Sequence, residues 1–200
     1  MNNTYLESYR KSSQNIKSLP ESWARFLDKP EWNWQWYGHL TFRDIINKYD
    51  GKADHVHPES AVKTFDKWIH LLNRAAFGVR YWNRTGDGVV WARATELQNR
   101  GAIHFHCLIG CIDKPDRAEI RRLDFMDLWW SMAGMARIYQ YKPSHGAEFY
   151  LSKSCYAWKK GEIDLGGPLV ERMTGNFRMD LQQDLFRGLD RRAKAAVAQS

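Results

Sequence analysis

The fold is best predicted from Val89–Gly110, which reads VVWARATELQNRGAIHFHCLIG. Its two outer runs, Val89–Leu97 and Ala102–Gly110, are rich in β-branched, aromatic and other apolar residues, whereas Gln98–Gly101 between them is mostly polar and ends in glycine. Two such runs separated by a short glycine-containing turn are typical of a β-hairpin. The stretch therefore predicts two antiparallel strands that lie side by side in a sheet.

The length of the hairpin loop determines which residues face each other. Asn99-Arg100-Gly101 fits a three-residue loop with glycine in the left-handed conformation, which pairs residue 98 with 102 and Glu96 with His104. Cross-strand partners share a face of the sheet, so Glu96 is expected beside His104. A two-residue loop would instead pair Glu96 with residue 103 and turn its carboxylate away. The glycine at position 101 favours the first register.

His104 and His106 are candidate metal ligands. They are two residues apart on a predicted strand, so their imidazoles point to the same face. Together with Glu96 they would form a divalent-metal site that keeps positions open for water or phosphate oxygen, with Mg²⁺ or Mn²⁺ expected if the substrate brings phosphate. Two alternatives stay open: histidines that bind no metal, and a zinc site that uses Cys107 and Cys111. Cys107 is expected on the opposite face from the histidines, in the core.

The segments around the hairpin alternate between strands and helices. Pro58 starts an amphipathic helix that Gly78 ends, a second helix fits Asp116–Met135, and a third fits Ala147–Lys160. The resulting order is the split βαβ arrangement, so we predict an α+β, ferredoxin-like fold with an antiparallel sheet and helices packed on one face. The other expected elements are a short helix at Glu21–Leu27, strands at Trp34–Arg43 and Ala136–Tyr141, and a short edge strand at Val79–Asn83.

Two predicted helices carry an apolar face that should be buried. For the first helix it comprises Ala61, Phe65, Trp68, Ile69, Leu72 and Ala76, and for the second Ile120, Leu123, Phe125, Leu128, Trp129 and Met132. We place the domain at residues 34–160, an N-terminal extension at 1–33, and a C-terminal extension at 161–200. The last segment either packs on the domain or forms a basic tail from Arg187.

The composition describes a soluble chain with a basic excess. Of its 200 residues 44% are hydrophobic and 26% charged, and the formal net charge is +7. Such an excess favours a polyanionic partner, nucleic acid first. The three cysteines do not make a disulfide framework, the N-terminal segment is polar, and no apolar run approaches the roughly 20 residues of a membrane helix. We expect an intracellular, soluble, cytoplasmic protein with no membrane partner.

Tyr150 and Lys153 form a candidate catalytic pair. They are three residues apart in the third predicted helix, so they share a face. A phenol is a poor nucleophile until a base, metal or cation assists it, and Lys153 could do so or bind a phosphate. On its own this spacing is more often a helix-surface pair. Tyr156 lies about 600° further round the helix and faces elsewhere, so we predict a single nucleophilic tyrosine.

Three segments together resemble the motifs of a known family. Gly38-His39-Leu40-Thr41-Phe42 is similar to its first motif, His104-Phe105-His106 to its second, and Tyr150-Leu151-Ser152-Lys153 to its third. They occur in the family's order. The family is the HUH endonucleases, specifically the replication-initiator (Rep) branch with one tyrosine, and the resemblance runs from about residue 36 to residue 160.

The resemblance implies a concrete activity. Tyr150 would attack a phosphate of single-stranded DNA and leave a 5′-phosphotyrosine and a free 3′-hydroxyl, with Lys153 assisting. Glu96, His104 and His106 would hold Mg²⁺ or Mn²⁺. Such proteins start rolling-circle replication of plasmids and phages, sometimes at a hairpin origin, or move single-stranded transposons. The chain has no G-x-x-x-x-G-K-[ST] run, so any helicase would be a separate protein. A binding module that does not cut is the other alternative.

Six residues are candidates for DNA contact. His39 in the first motif has three interpretations, namely a group that orients a ligand, a DNA contact or a packed strand residue, of which packing is the simplest. Tyr156 either packs or stacks on DNA. The full set is His39, Thr41, Arg43, Arg93, Arg100 and Tyr156.

Overall fold

The computed structural model describes residues 20–46, 49, 51, 53–84, 86–112, 120–143, 146–153 and 163–170. The predicted helix at 116–135 falls partly on residues 113–119, and the third predicted helix partly on 154–162. Those parts, with the segments 1–19 and 171–200, lie outside the described residues. The helices are α1 (20–27), α2 (Pro58–Phe77), α3 (Arg122–Met132) and α4 (Ala147–Ser152). The strands are β1 (Trp34–Thr41), β2 (Ile45–Ile46), β3 (Ala53–Asp54), β4 (Val90–Leu97), β5 (Ile103–Gly110), β6 (Ala136–Gln140) and β7 (Ile163–Gly166).

Five strands form one antiparallel sheet in the order β6-β1-β5-β4-β7, and β2 pairs with β3 in a separate ribbon. Within this sheet, the four strands β6-β1-β5-β4 have β1 between β5 and β6, which is the order of the split βαβ arrangement. The predicted α+β, ferredoxin-like fold is confirmed. Strand β7 adds a fifth strand beside β4, so the sheet continues past residue 160.

The β4–β5 hairpin has the predicted register. Glu96 pairs with His104, and the Gln98 N–H donates to the Ala102 carbonyl at 2.9 Å. Gly101 closes the loop with φ of 86°, a backbone conformation that a residue with a Cβ adopts only with strain. The loop therefore contains three residues, and it fixes the face on which the Glu96 carboxylate lies.

One face of the sheet is covered by the crossover helices α2 and α3. Helix α2 starts with Pro58 at its first turn and ends before Gly78, as predicted. Its Asn73 Oδ1 accepts the Val89 N–H at 2.7 Å, which ties the helix to the start of β4. All six residues of its predicted apolar face are buried. The strand side chains that pack against these helices include Trp36, Leu40, Phe105, Cys107, Ile109 and Ile138.

The opposite face is only partly covered by the described residues. Helix α4 and the segment 20–32 pack over one end of it, where Leu27, Trp32, Leu108 and Leu151 are buried in a second apolar cluster. The prediction of helices on one face thus holds for α2 and α3, while α4 lies on the other side. Segment 20–32 is part of this core although it precedes the predicted domain boundary.

Three further predictions about elements need correction. Val79–Asn83 is not an edge strand, because Tyr81–Asn83 forms a 3₁₀ turn directly after α2. The second predicted helix ends at Met132, since Gly134 allows the chain to approach the end of β1, where an added Cβ would lie 2.5 Å from the Thr41 carbonyl oxygen. Leu123 on α3 is exposed rather than buried. None of the described helices is long and apolar enough to cross a bilayer.

Candidate metal and tyrosine site

Three histidines converge on the partly covered face of the sheet. Strand β1 pairs with β5 so that His39 lies opposite His106 and Thr41 lies opposite His104. The imidazole of His106 is 4.7 Å from that of His39 and 4.5 Å from that of His104, measured between ring centroids. One potential ligand atom from each histidine lies within 4.8 Å of the other two. These three residues could therefore hold a metal ion.

Glu96 lies beside this cluster, on the face that its register predicted. Its Oε2 is 3.2 Å from Nε2 of His106. The three ligands expected from the sequence are thus close together, and His39 joins them. The sequence contained a signal for His39: it is two residues from Tyr37 and from Thr41, on the polar side of an alternating strand, and the split βαβ order places that strand next to β5.

Both ring nitrogens of His106 have partners. Nδ1 is 3.3 Å from the hydroxyl of Tyr37, and Nε2 faces Glu96. Binding of an ion at Nε2 requires the proton to be on Nδ1, which can donate it to the Tyr37 oxygen. Tyr37 therefore fixes the orientation of the His106 ring, a role that the sequence did not reveal.

The histidines are held in their neutral form. Burial, together with the neighbouring His104 and His39, lowers the pKa of His106 to about 4, while Glu96 opposes the shift. Burial also lowers the pKa of His104 and of His39 below the ordinary value. Neutral imidazoles are the form that binds metal ions, so the cluster is ready to coordinate at neutral pH.

The donor atoms fit a metal ion. Among the described residues, Nδ1 of His104 is buried without a hydrogen-bond partner, a cost that a bound ion would remove. Imidazole nitrogens suit transition-metal ions, whereas Mg²⁺ prefers oxygen ligands. The alternative zinc site with cysteines is wrong in its geometry. Cys107 is fully buried with α2 and α3 on the other face, and this burial raises the pKa of its thiol to about 12.

Tyr150 and Lys153 lie next to the histidines. Helix α4 places the Tyr150 ring 4.8 Å from the His106 ring and 6.3 Å from the His39 ring. Nζ of Lys153 is 4.7 Å from the centre of the Tyr150 ring. Tyr150 remains 42% exposed, which leaves its hydroxyl side open to a large substrate. The two residues of the third motif and the metal-ligand candidates thus form one cluster.

Arg93 is not available for DNA contact. Its side chain is only 4% exposed, and its guanidinium pairs with Asp164 and lies over the rings of Phe65 and Phe105. The alternation that brings Glu96 to the histidine face carries Arg93, three residues earlier, to the face covered by α2. The expectation for this residue is therefore corrected: Arg93 is a core cation.

The remaining DNA-contact candidates make local contacts. The Thr41 hydroxyl donates to the Met135 carbonyl at 2.9 Å, and the exposed Arg43 donates to the Trp130 carbonyl. Arg100 pairs with Asp44 and is 41% exposed. A role in DNA contact stays a prediction for these three. Tyr156 lies outside the described residues.

Arg137 and Tyr139 complete this face and were not expected from the sequence. Arg137 of β6 lies opposite His39, and Tyr139 lies opposite Tyr37. Both side chains are exposed. A guanidinium next to the histidine cluster can bind a phosphate, and an exposed tyrosine ring can stack on a base. Residues on a short edge strand carry no such signal until the sheet order is known.

A scan against protein-family models and searches of curated proteins and of solved structures found no match to this chain. The chemistry of the site therefore has to follow from its own geometry.

Proposed function

We propose that this protein is a metal-dependent endonuclease that nicks and rejoins single-stranded DNA through Tyr150. The observation that carries the proposal is the position of that tyrosine, whose ring is 4.8 Å from His106 in a three-histidine cluster. A half-exposed phenol beside neutral imidazoles and a lysine is the arrangement that tyrosine-mediated strand transfer requires. The basic net charge of +7 is consistent with a polyanionic substrate.

The chemical step is a transesterification. The Tyr150 oxygen forms a bond to phosphorus while the bond from phosphorus to the 3′ oxygen breaks. The phenolic proton leaves, and the departing 3′ oxygen gains a proton, so the products are a 5′-phosphotyrosine and a free 3′-hydroxyl. Attack by that hydroxyl, or by another one, reverses the step and rejoins strands. No external energy source is needed because one phosphodiester replaces another.

The residues around Tyr150 have distinct roles in this proposal. Lys153, close to the tyrosine ring, stabilises the phenolate or the phosphate under attack, and the exposed Arg137 binds a neighbouring phosphate. His39, His104, His106 and Glu96 hold a divalent ion, for which the nitrogen-rich set favours Mn²⁺ over Mg²⁺. When bound, that ion polarises the scissile phosphate and offsets the charge that develops on it.

Covalent capture tests this proposal. The protein is incubated with a library of single-stranded oligonucleotides and Mn²⁺, and adducts are separated on a denaturing gel. We expect adducts from the wild type and from Tyr139→Phe, a matched loss of a hydroxyl on the same face, but none from Tyr150→Phe. Excess EDTA should also prevent them. Capture that persists in Tyr150→Phe and disappears in Tyr156→Phe would show that Tyr156 is the nucleophile. Capture in excess EDTA would show that the reaction does not need a metal ion.

The biological setting that fits this activity best is initiation of rolling-circle replication of a plasmid or phage. An initiator nicks once, keeps the 5′ end bound to the tyrosine and releases a 3′ end for a polymerase. These 200 residues contain no phosphate-binding G-x-x-x-x-G-K-[ST] run, so the activity that separates the strands would come from outside them.

A further inference from the structure

A cavity lined by tyrosines opens next to Tyr150. It has a volume of about 310 Å³ and lies between β6 and the start of α4, with Tyr150 as one wall and Tyr37, Tyr139 and Tyr141 as others. We call it the tyrosine cavity. Tyr139 is 50% exposed and faces into this open space. Ligand cavities in proteins begin at about this size, so the space is sufficient for one small planar group.

A second cavity borders two of the same residues. Its volume is about 430 Å³, it shares Gln140 and Tyr141 with the tyrosine cavity, and it reaches Arg121 and Arg122 at the start of α3. We call it the arginine cavity. Both cavities border the end of strand β6, so a strand that passes round this end would run from one cavity to the other along a path that leads away from Tyr150.

The charges along this path are mainly positive. Lys142 borders the tyrosine cavity. The Arg121 side chain is 68% exposed, and the ion pair that it forms with Asp124 at 3.8 Å is itself exposed and therefore weak. Arg122 uses one guanidinium nitrogen to donate to the Ile138 carbonyl at 2.9 Å.

Aromatic walls followed by cationic side chains match the chemistry of unpaired nucleotides. Tyrosine rings stack on bases whatever their sequence, and lysine and arginine bind the phosphates between them. A duplex keeps its bases paired and stacked, so placing one of them in a cavity of this kind costs unpairing and unstacking energy that a single strand does not pay.

We propose that single-stranded DNA leaves the scissile position along this path, with one unpaired base in the tyrosine cavity and a phosphate near Arg121. The occupant follows from the proposed function, but the path can be tested without any cleavage. Binding is therefore measured in EDTA, by fluorescence anisotropy, with fluorescein-labelled oligothymidine and with a blunt-ended hairpin duplex as probes.

Each cavity is tested by its own substitution. Tyr139→Ala should weaken oligothymidine binding about tenfold, as expected for the loss of one stacked base, and Tyr139→Phe should restore it. Arg121→Ala should lower the slope of log affinity against log salt concentration by about 0.7, the value for one phosphate contact on a single strand. The matched controls Trp82→Ala and Arg80→Ala, an exposed aromatic and an exposed arginine just after α2, should change neither quantity.

Several results would overturn the path. One is that oligothymidine does not bind, and a second is that it binds equally to wild type and Tyr139→Ala. A third is that Tyr139→Ala weakens binding of the duplex as much as it weakens binding of oligothymidine. Covalent capture at Tyr150, measured separately with Mn²⁺, distinguishes this inference from the proposed function. If DNA is captured at Tyr150 but binding does not depend on Tyr139, only the path is contradicted. If binding depends on Tyr139 but no DNA is captured, only the proposed nuclease activity is contradicted.

Discussion

The two faces of the sheet differ in what they bury, although they are built from the same strands. Phe105 and Cys107 on β5 pack among the aromatic side chains of α2 and α3, while His104 and His106 on the same strand meet His39 and Tyr150 on the partly covered face. Because side chains alternate along a strand, those on one face stabilise the core and those on the other face form the candidate site. Substitutions one residue apart should therefore have effects of different kinds.

The largest expected effect on the chemical face comes from His104→Ala. Loss of a ligand should weaken Mn²⁺ binding by more than about 100-fold, because even the loss of a group that only orients a ligand costs 10–100-fold. Titration calorimetry measures the affinity and urea unfolding measures the stability, which should change little. His70→Ala, which removes a histidine from the α2 side, is the control. Unchanged Mn²⁺ affinity in His104→Ala would disprove the metal site.

The adjacent substitution Phe105→Ala should act in the opposite way. Phe105 is 1% exposed in the main core, so its truncation should destabilise the fold by about 3–5 kcal/mol. Urea unfolding measures this loss. Below the unfolding transition the folded variant should still bind Mn²⁺ with wild-type affinity. A large fall in affinity without a loss of stability would show that the two faces are not separable in this way.

The histidine face should also make stability depend on pH. In the metal-free protein the pKa of His106 is lowered from 6.5 to about 4, so between these values the unfolded chain binds a proton that the folded chain does not. The contribution of the neutral His106 to the free energy of unfolding is therefore fully present above pH 6.5, and it should be lost as the pH decreases towards 4. Urea midpoints in EDTA across this range measure the trend. His106→Gln should flatten it only in part, because His39 and His104 also have lowered pKa values. Identical profiles would contradict the burial of a neutral His106.

The smallest effect is expected from Arg93→Met. Arg93 is a core cation, and two of its guanidinium nitrogens are buried without a hydrogen-bond partner, so their removal also removes a desolvation cost. Its partner Asp164 has a side chain that is 41% exposed, so water can hydrate that carboxylate when the guanidinium is lost. Since the guanidinium lies on the covered face, anisotropy with oligothymidine should show unchanged affinity and salt dependence. A salt slope lowered by about 0.7 would place Arg93 on the DNA surface after all.

Local signals in the sequence were sufficient for the hairpin and for much of the site. Gly101 determined the loop length, the loop length determined the register, and the register brought Glu96 to the histidines. Pro58 and Gly78 marked both ends of α2. These features depend on residues close together in the chain, where turn geometry and side-chain alternation act directly.

Features that depend on non-adjacent strands were missed or misassigned. His39 meets His106 only because β1 lies next to β5, and Arg137 and Tyr139 reach the site only because β6 lies on the far side of β1. The local sequence of a strand does not state its neighbours. Arg93 is different, because the alternation that placed Glu96 on the histidine face was sufficient to place Arg93 on the covered face.

The attachment site of the DNA shows whether Tyr150 is the nucleophile. The covalent adduct formed with single-stranded DNA and Mn²⁺ is digested with nuclease and protease, and the modified peptide is sequenced by tandem mass spectrometry. The account predicts a 5′-linked nucleotide on Tyr150. A nucleotide on Tyr156 or another residue, or cleavage that leaves free 5′-phosphate ends and no adduct, would contradict it.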